Sequence, residues 1–158
     1  MQKEKRSRTP TAAYLARAGI IAALYVAVTF LLSAISFGPV QVRIAEGLTL
    51  LPVLFPEAIV GLFLGCLLAN FFGPFGMADI IFGSLITLLA ACITRRFRHN
   101  KLIAYLSPII LNAFLVSLYL YLLFAVPYWP TVLSIGLGQS IAVLGIGIPL
   151  LHFIEKHK

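Results

Sequence analysis

The stretch IAEGLTLLPVLFPEAIVGLFLGCLLANFF, residues 44–72, decides how this chain folds. As one helix it would be roughly 43 Å long at about 1.5 Å per residue, whereas the hydrocarbon core of a bilayer is about 30 Å thick. Pro52 and Pro56 also interrupt helical hydrogen bonding within it. The stretch is therefore predicted to break near Pro56 and Glu57 and to cross a membrane twice.

The composition of the whole chain is that of a membrane protein. Of its 158 residues, 61% are hydrophobic and 11% charged, whereas about 25% of residues are charged in soluble domains. Apolar runs such as residues 102–126 leave almost no polar surface, so lipid is the expected solvent. The net charge of +7 does not indicate nucleic-acid binding, because the basic residues form short clusters between apolar runs.

The positions of these basic clusters predict the number of spans. Further apolar stretches cover residues 18–37, 77–94, 102–126 and 131–154. The three clusters are Lys3, Lys5, Arg6 and Arg8; Arg95, Arg96, Arg98 and Lys101; and Lys156 and Lys158. Basic residues favour the cytoplasmic side, so an even number of crossings must separate the first cluster from the second.

We therefore predict an all-α polytopic protein of the cell membrane with six transmembrane helices and both termini in the cytoplasm. Residues 1–10 form a basic cytoplasmic tail and residues 11–155 a single six-helix domain. The first apolar run is too long for a signal peptide and is expected to be retained. The two halves of residues 44–72 are short, so one of them is expected to be tilted, partly extramembrane or re-entrant.

A few charged and amide side chains lie away from the basic clusters and need partners. They are Arg43, Glu46, Glu57, Asp79, Asn70, Asn112 and Gln139. A carboxylate at mid-membrane costs roughly 2.5–3.5 kcal/mol, so such groups should face partners or a wet cavity. Asn70 and Asp79 flank a short turn at residues 73–76, and Glu46 starts from the same side of the membrane. These three side chains are predicted to meet near one external pocket.

Each of these residues also has a structural interpretation. Arg43 and Glu46 lie three positions apart, so they either form an ion pair at a helix start or act together, with Glu46 facing a ligand and Arg43 orienting it. Asp79 is alternatively an N-cap and Asn70 a helix-ending residue. Glu57 is interpreted as a cytoplasmic helix cap or partner contact.

The remaining polar, aromatic and sulfur-containing residues are less specific. Asn112 and Gln139 should form hydrogen bonds between helices by default, with ligand contact as the alternative. Trp129, in the predicted last external loop, is either an interfacial anchor or an aromatic lid. Cys66 and Cys92 lack CxxC spacing and are interpreted as packing residues.

The first helix carries one continuous stripe of small residues. Its members are Ala12, Ala16, Gly19, Ala23 and Ala27. Such a stripe lets helix backbones approach closely, either within the bundle or against another membrane subunit. The sequence has no P-loop, no catalytic motif and no histidine cluster, so we expect no catalytic residues, no metal and no cofactor, and any ATP hydrolysis must occur in another chain.

Four segments together resemble a known family. They are SFGPVQVR continuing to EGL (residues 36–48), LP (51–52), GLFLGCLLAN (61–70) and DIIFGSL (79–85). Across nearly the whole chain they are similar to the QueT-like queuosine-precursor transporter family, the substrate-binding S components of energy-coupling factor (ECF) importers. The resemblance implies a six-helix S-component bundle that captures a 7-deazaguanine base from outside. It also implies partners, a transmembrane coupling protein and two ATPase subunits, and inward release by toppling of the bundle.

The resemblance also suggests roles for particular residues. Ala16, Gly19, Ala23 and Ala27 would touch the coupling protein. Glu46 or Asp79 would accept hydrogen bonds from the guanine-like N–H edge, and the other carboxylate would meet an aminomethyl cation if the ligand carries one. Phe37 or Trp129 would stack on the base. The expected binding residues are therefore Glu46, Asn70, Asp79, Arg43, Phe37, Trp129, Asn112 and Gln139.

Two other functions compete with this interpretation. A stand-alone secondary transporter would use Asp79 or Glu46 as a proton or sodium site. An intramembrane enzyme or structural subunit ranks lowest, because no nucleophile, base and orienting group recur together.

Overall fold

The chain is all-helical wherever the structure describes it. A computed structural model describes residues 11–36 and 42–157, and no strand occurs in those ranges. After α1 (Ala12–Leu31) come a helical turn (Ser33–Ser36), a 3₁₀ helix (Ile44–Val53), α2 (Ala58–Phe71), α3 (Gly76–Arg96), α4 (Lys101–Phe124) and α5 (Tyr128–Lys156). The predicted all-α fold is confirmed.

Four of these helices are long and apolar enough to cross a membrane. They are α1, α3, α4 and α5, with 20, 21, 24 and 29 residues. The 3₁₀ helix has 10 residues and α2 has 14, so each rises only about 20 Å at about 2.0 or 1.5 Å per residue. The chain breaks between these two helices at residues 54–57, where Pro56 and Glu57 predict a break.

The C-terminal ends of the two short helices lie at opposite ends of α3. At the C-terminal end of α3, Arg95 Nη1 donates to the carbonyls of Pro52 and Val53, both at 3.0 Å, so the 3₁₀ helix ends there. At the N-terminal end of α3, Asn70 Nδ2 donates to the carbonyl of Asp79 at 2.8 Å, so α2 ends there. The two short helices therefore run in opposite directions along α3.

The 3₁₀ helix forms the centre of the bundle. All five other helices, α1 to α5, pack against it, and seven of its ten residues are buried. Its backbone approaches α5 so closely that a Cβ atom at Gly147 would lie 2.6 Å from the carbonyl oxygen of Gly47. Only glycine permits this contact. Residues 44–53 thus organise the whole fold although they form a shorter helix than any of α1 to α5.

The outer faces of the bundle suit a lipid environment. α1 buries Ala18, Ala22 and Tyr25 on the face that packs against α2. Large apolar side chains such as Leu31 and Leu122 point outward and are exposed. Apolar outer faces on helices of this length identify a multi-helix membrane protein.

Glu57, just before α2, ties that helix to α1. Its carboxylate lies 3.0 Å from Arg17 Nη1. Glu57 occupies the N-cap position of α2, as the helix-cap prediction expects, but its side chain makes no capping hydrogen bond to that helix. Burial acts to raise the pKa of Glu57, but hydrogen bonds from its own backbone and from Arg17, with the charges of Arg17 and Arg95, lower the pKa below its usual value.

Candidate binding site

A connected polar network lies inside the apolar bundle. It consists of Tyr25, Arg43, Glu46, Cys66, Asn70, Asp79, Thr87 and Tyr119, which come from α1, the 3₁₀ helix and its N-cap, α2, α3 and α4. Buried polar groups cost free energy unless they are paired. The state of each group in this network is therefore informative.

Glu46 is engaged through one of its two oxygens. Oε1 accepts from the Tyr25 hydroxyl at 2.5 Å and from Thr87 Oγ1 at 3.4 Å. Oε2 is buried and has no hydrogen-bond partner in the described part of the chain. Both donors to Oε1 are neutral.

Asp79 is engaged through both oxygens. Arg43 Nη2 donates to Oδ2 at 2.7 Å, and the Tyr119 hydroxyl donates to Oδ1. Tyr119 in turn stacks on Phe82, with ring centroids 5.8 Å apart. Asp79 thus has a cationic partner that is largely buried and a neutral partner that is buried.

Asn70 and Cys66 link the two carboxylates. Asn70 Nδ2 donates to Cys66 Sγ at 3.4 Å as well as to the Asp79 carbonyl, and Thr87 Oγ1 also lies 3.4 Å from Cys66 Sγ. A Cβ atom at Gly83 would lie 2.8 Å from Asp79 Oδ1 and 2.9 Å from Asn70 Nδ2, so glycine leaves room for this contact. The Asn70 Oδ1 atom is buried without a partner among residues 11–36 and 42–157.

A small cavity lies beside the network. It has a volume of about 10 Å³ and is lined by Arg43, Asn112, Val116, Ile135 and Gln139. This is near the lower limit for one water molecule, whereas ligand pockets are typically about 300–1,000 Å³. A base-sized ligand would therefore have to displace the segments that surround this cavity.

The two predicted amides both line that cavity. Asn112 Nδ2 donates to the Pro108 carbonyl of its own helix at 2.9 Å, not to another helix as expected by default. Gln139 Oε1 is buried and has no partner in the described ranges.

Three helices change their winding near the site. Each contains a π-helical segment, at Asp79–Gly83 in α3, Asn112–Val116 in α4 and Ile141–Gly147 in α5. π turns inside α-helices occur frequently at functional sites. Two of the segments begin at a predicted site residue.

The structure brings most of the predicted site residues together. Glu46, Asn70 and Asp79 meet as expected. Of the two alternatives for Arg43 and Glu46, the ion pair between them is wrong, because Arg43 pairs with Asp79. Arg43 is the N-cap residue of the 3₁₀ helix and has an extended backbone (φ −81°, ψ 91°), so it does not belong to the first turn with Glu46. The N-cap alternative for Asp79 is also wrong, because helix α3 begins at Gly76.

The two predicted stacking residues are not part of the network. Phe37 lies outside the described residues. Trp129 lies in the first turn of α5 and not in a loop, and it is 67% exposed. Its ring packs edge-to-face with Tyr128 at 5.2 Å, which suits the anchor interpretation better than the lid.

The small-residue stripe lies on the outside of the bundle. Ala16, Gly19, Ala23 and Ala27 are all exposed, and a Cβ atom at Gly19 would meet nothing within 4 Å. Packing within the bundle is therefore the wrong interpretation of this face.

Sequence reasoning missed four members of the network. Tyr25, Thr87 and Tyr119 were not singled out, and Cys66 was interpreted as a packing residue only. A tyrosine buried in an apolar helix usually finds a hydrogen-bond partner, which is the one signal that Tyr25 and Tyr119 offered. Within the described ranges, no group of three or more His, Cys, Asp or Glu side chains is arranged to hold a metal ion.

An all-helical membrane bundle with a buried, incompletely paired polar centre defines the class of the protein: a multi-helix membrane protein with an internal polar site. A family model described as QueT transporter matches residues 15–156, so the chain belongs to the QueT transporter family. No solved structure matches the chain.

One curated relative is similar to part of the chain. It is the protein of Lactococcus lactis subsp. cremoris (strain MG1363) named Queuosine precursor transporter QueT, and it is 42% identical over 72 residues. That alignment covers 44% of this chain and 42% of the relative, so less than half of the relative's length is matched.

Proposed function

We propose that this chain is the substrate-binding S component of an ECF-type importer and that it captures a queuosine precursor, a 7-deazaguanine base, from outside the cell. The observation that carries the proposal is the polar network, in which Glu46 Oε2 and Asn70 Oδ1 are buried acceptors without partners among the described residues. Leaving such groups unpaired costs about 1–3 kcal/mol each, and a bound ligand with N–H groups recovers that free energy. Family membership and the name of the similar relative support transport of this substrate class.

The proposed topology has six crossings with both termini in the cytoplasm. The opposite directions of the 3₁₀ helix and α2 along α3 support two short crossings in addition to the four long ones. Arg17, Glu57 and Arg95 lie at one end of the bundle, the end that carries the basic cluster of residues 95–101. Basic residues favour the cytoplasmic side, so the network lies toward the outer side.

In the proposed complex, the base meets the unpaired side of the network. Glu46 and Asn70 accept hydrogen bonds from the N–H groups of the base, Arg43 lies beside them on Asp79, and Asn112 and Gln139 complete the polar wall. Phe37 and Trp129 remain candidates for stacking on the ring.

The exposed stripe on α1 is the proposed contact with the energising module. Ala16, Gly19, Ala23 and Ala27 would let a helix of the transmembrane coupling protein pack closely, as small residues do in membranes. Two ATPase subunits bound to that coupling protein would supply the ATP hydrolysis.

Calorimetric titration of the purified, detergent-solubilised protein tests the binding step. The ligands are 7-deazaguanine precursors, with guanine and an unrelated vitamin as controls. Glu46→Gln should weaken binding at least 10-fold, because it removes a buried charged acceptor. Glu155→Gln, which alters an exposed glutamate on α5, should leave affinity unchanged. Absence of binding by folded protein would refute the assignment.

Stand-alone secondary transport is the second candidate, and the half-paired carboxylate of Glu46 favours it. Uptake into proteoliposomes separates the two functions. The S-component proposal requires uptake to depend on the coupling protein, the ATPases and ATP. Uptake by this chain alone, driven by a proton or sodium gradient, would establish the secondary transporter instead.

A further inference from the structure

Two apolar grooves of nearly equal size lie between α3 and α4. The first groove, of about 320 Å³, is formed by the N-terminal half of α3 and the C-terminal half of α4, and the second, of about 310 Å³, by the other two halves. Their lining includes Ile86, Leu118 and Leu122 in the first groove, and Ile93, Leu102 and Leu106 in the second. Leu122 and Leu102 are each 68% exposed, so both grooves are open to the surroundings of the bundle. In a membrane such grooves face lipid acyl chains.

The second groove ends at a basic turn. Lys101, the first residue of α4, directly precedes Leu102 in the groove lining. Arg96 lies three residues after Ile93 on α3, so it extends the face that lines the groove by one helical turn. Arg98 lies in the turn that joins the two helices. Three cations therefore surround the end of this groove.

The fold does not neutralise these three charges. The side chains of Arg96, Arg98 and Lys101 are exposed, and none of them forms an ion pair with a carboxylate within residues 11–36 and 42–157. Arg96 lies 6.0 Å from the centroid of the neighbouring Phe97 ring, and Arg98 Nε donates to His99 Nε2 at 3.1 Å. Both of these contacts are with uncharged groups, so N–H donors and positive charge remain for an anion.

The first groove has no comparable charge. The segments of α3 and α4 at its end, residues 76–78 and 124–128, contain no lysine or arginine. The chain thus carries two grooves of similar size and apolar character, and only one of them adjoins cations. This face also lies away from the small-residue stripe, because α4 packs on α3, α5 and the 3₁₀ helix, whereas α1 packs on α2 and the 3₁₀ helix.

We propose that the second groove and its basic turn form a binding site for an anionic phospholipid. One acyl chain lies in the groove against Leu102 and Leu106, and the phosphate of the headgroup lies against Arg96, Arg98 and Lys101. Guanidinium groups match phosphate oxygens with paired N–H donors, and clusters of basic residues at a membrane surface attract anionic lipids. The first groove accepts acyl chains without selecting a headgroup. This site is separate from the polar network and does not depend on the transported substrate.

The test places one fluorescent reporter in each groove of the full-length chain. Trp129 is the single tryptophan of the sequence, so a Trp129→Phe background has none. Leu102→Trp then reports on the second groove and Leu122→Trp on the first, and the two positions are equally exposed. Each variant is reconstituted in mixtures of phosphatidylglycerol and phosphatidylcholine, with brominated acyl chains on one lipid at a time. Bromine quenches tryptophan fluorescence on contact, so the quenching gives the relative affinity of the two lipids.

The two reporters should give different results. At Leu102→Trp, phosphatidylglycerol should bind at least about 10-fold more tightly than phosphatidylcholine, since each Lys or Arg near an anionic lipid contributes about fivefold. At Leu122→Trp the two lipids should agree within about twofold. Adding Arg96→Gln, Arg98→Gln and Lys101→Gln to Leu102→Trp should reduce the preference there to about twofold or less.

Four outcomes overturn the proposal. Equal affinities at Leu102→Trp would leave this face to lipids of any headgroup or to a helix of another protein. The same preference at both reporters would indicate only a diffuse attraction of anionic lipids to the basic chain. A preference that survives the triple substitution would show that these cations do not hold the headgroup. Release of phosphatidylglycerol by inorganic phosphate would indicate a site for a free anion. If the triple variant does not fold, the comparison of the two reporters decides.

Discussion

Replacing Arg43 by methionine should destabilise the site more than replacing any uncharged side chain of the network. Arg43 Nη2 lies 2.7 Å from Asp79 Oδ2, and the two side chains are only 11% and 4% exposed. Arg43→Met leaves Asp79 with the Tyr119 hydroxyl as its neutral donor. Breaking a buried ion pair costs about 3–5 kcal/mol, and an unpaired aspartate in a membrane helix about 2.5–3.5 kcal/mol. We therefore expect a loss of about 3 kcal/mol, a value that lies in both ranges. This loss corresponds to a roughly 100-fold larger equilibrium constant for local opening of the site.

The double variant Arg43→Met/Asp79→Asn should recover most of this loss. It removes both charges, and the asparagine still offers an oxygen to Tyr119. Removing a whole buried pair is often close to neutral, so we expect a stability within about 1 kcal/mol of the parent. The resulting coupling free energy is about 2 kcal/mol or more, as measured by a double-mutant cycle.

Thiol labelling provides the assay. Cys66 is 0% exposed and lies within the network, whereas Cys92 is exposed, so a Cys92→Ser background makes Cys66 the reporter. When opening and closing are fast relative to labelling, the labelling rate follows the equilibrium constant for opening. Arg43→Met should label roughly 100-fold faster than the background, and the double variant within about fivefold of it. Equal rates for the single and double variants would refute the reasoning.

Three further predictions concern helix packing and the end of the bundle that carries Arg17, Glu57 and Arg95. Gly65→Ala should lower the free energy of unfolding by about 1–3 kcal/mol, because its Cβ would lie 2.8 Å from a Cβ atom of α1. In Gly19→Ala the new Cβ meets nothing within 4 Å, so this variant should be neutral or slightly stabilising. Thermal unfolding in detergent distinguishes the two variants, and equal shifts of their melting temperatures would contradict the close packing at Gly65. Arg95→Ala removes the hydrogen bonds to the last two carbonyls of the 3₁₀ helix and should destabilise this end of the helix by about 1.5–3 kcal/mol. Amide hydrogen exchange in the 3₁₀ helix should become faster, and unchanged exchange would count against this prediction. The lowered pKa of Glu57 means that its pair with Arg17 stabilises the fold above the unfolded pKa of about 4.3 and is lost as pH falls through the lower folded value. Because Arg17 is 62% exposed, the pair contributes at most about 1 kcal/mol to the free energy of unfolding. This contribution should be seen in the pH dependence of unfolding of the parent protein and should be absent from that of Glu57→Gln.

The fold was predictable where composition and helix length decide it. Apolar stretches and prolines predicted an all-α membrane bundle and a break near Pro56, and the structure has both. The central position of the 3₁₀ helix was not predictable, because its seven buried residues resemble those of any apolar span. That position depends on the close contact between Gly47 and Gly147, which lie 100 residues apart in the sequence.

The membership of the site was only partly predictable. Charged residues in apolar runs stand out, because burying them is costly, and this drew attention to Glu46 and Asp79. Their hydrogen-bond donors did not stand out, since Tyr25, Thr87 and Tyr119 are ordinary residues of apolar helices. Whether such a side chain faces the centre or the lipid depends on the rotation of its helix, and in α1 the hydrophobic pattern is nearly uniform around the axis.

Sequence reasoning did not distinguish the two carboxylates, Glu46 and Asp79, whereas in the structure they have different hydrogen-bond partners. Spacing within a helical turn suggested Arg43 as the partner of Glu46, but the extended backbone at Arg43 releases that side chain to Asp79. The arginine therefore neutralises the carboxylate on α3 and leaves the one on the 3₁₀ helix with neutral donors. A single backbone conformation at the start of the 3₁₀ helix thus determines which acid is held by a cation and which retains an unpaired oxygen. Reversing the pairing would therefore reverse the roles of Glu46 and Asp79, with Asp79 left to the neutral donors.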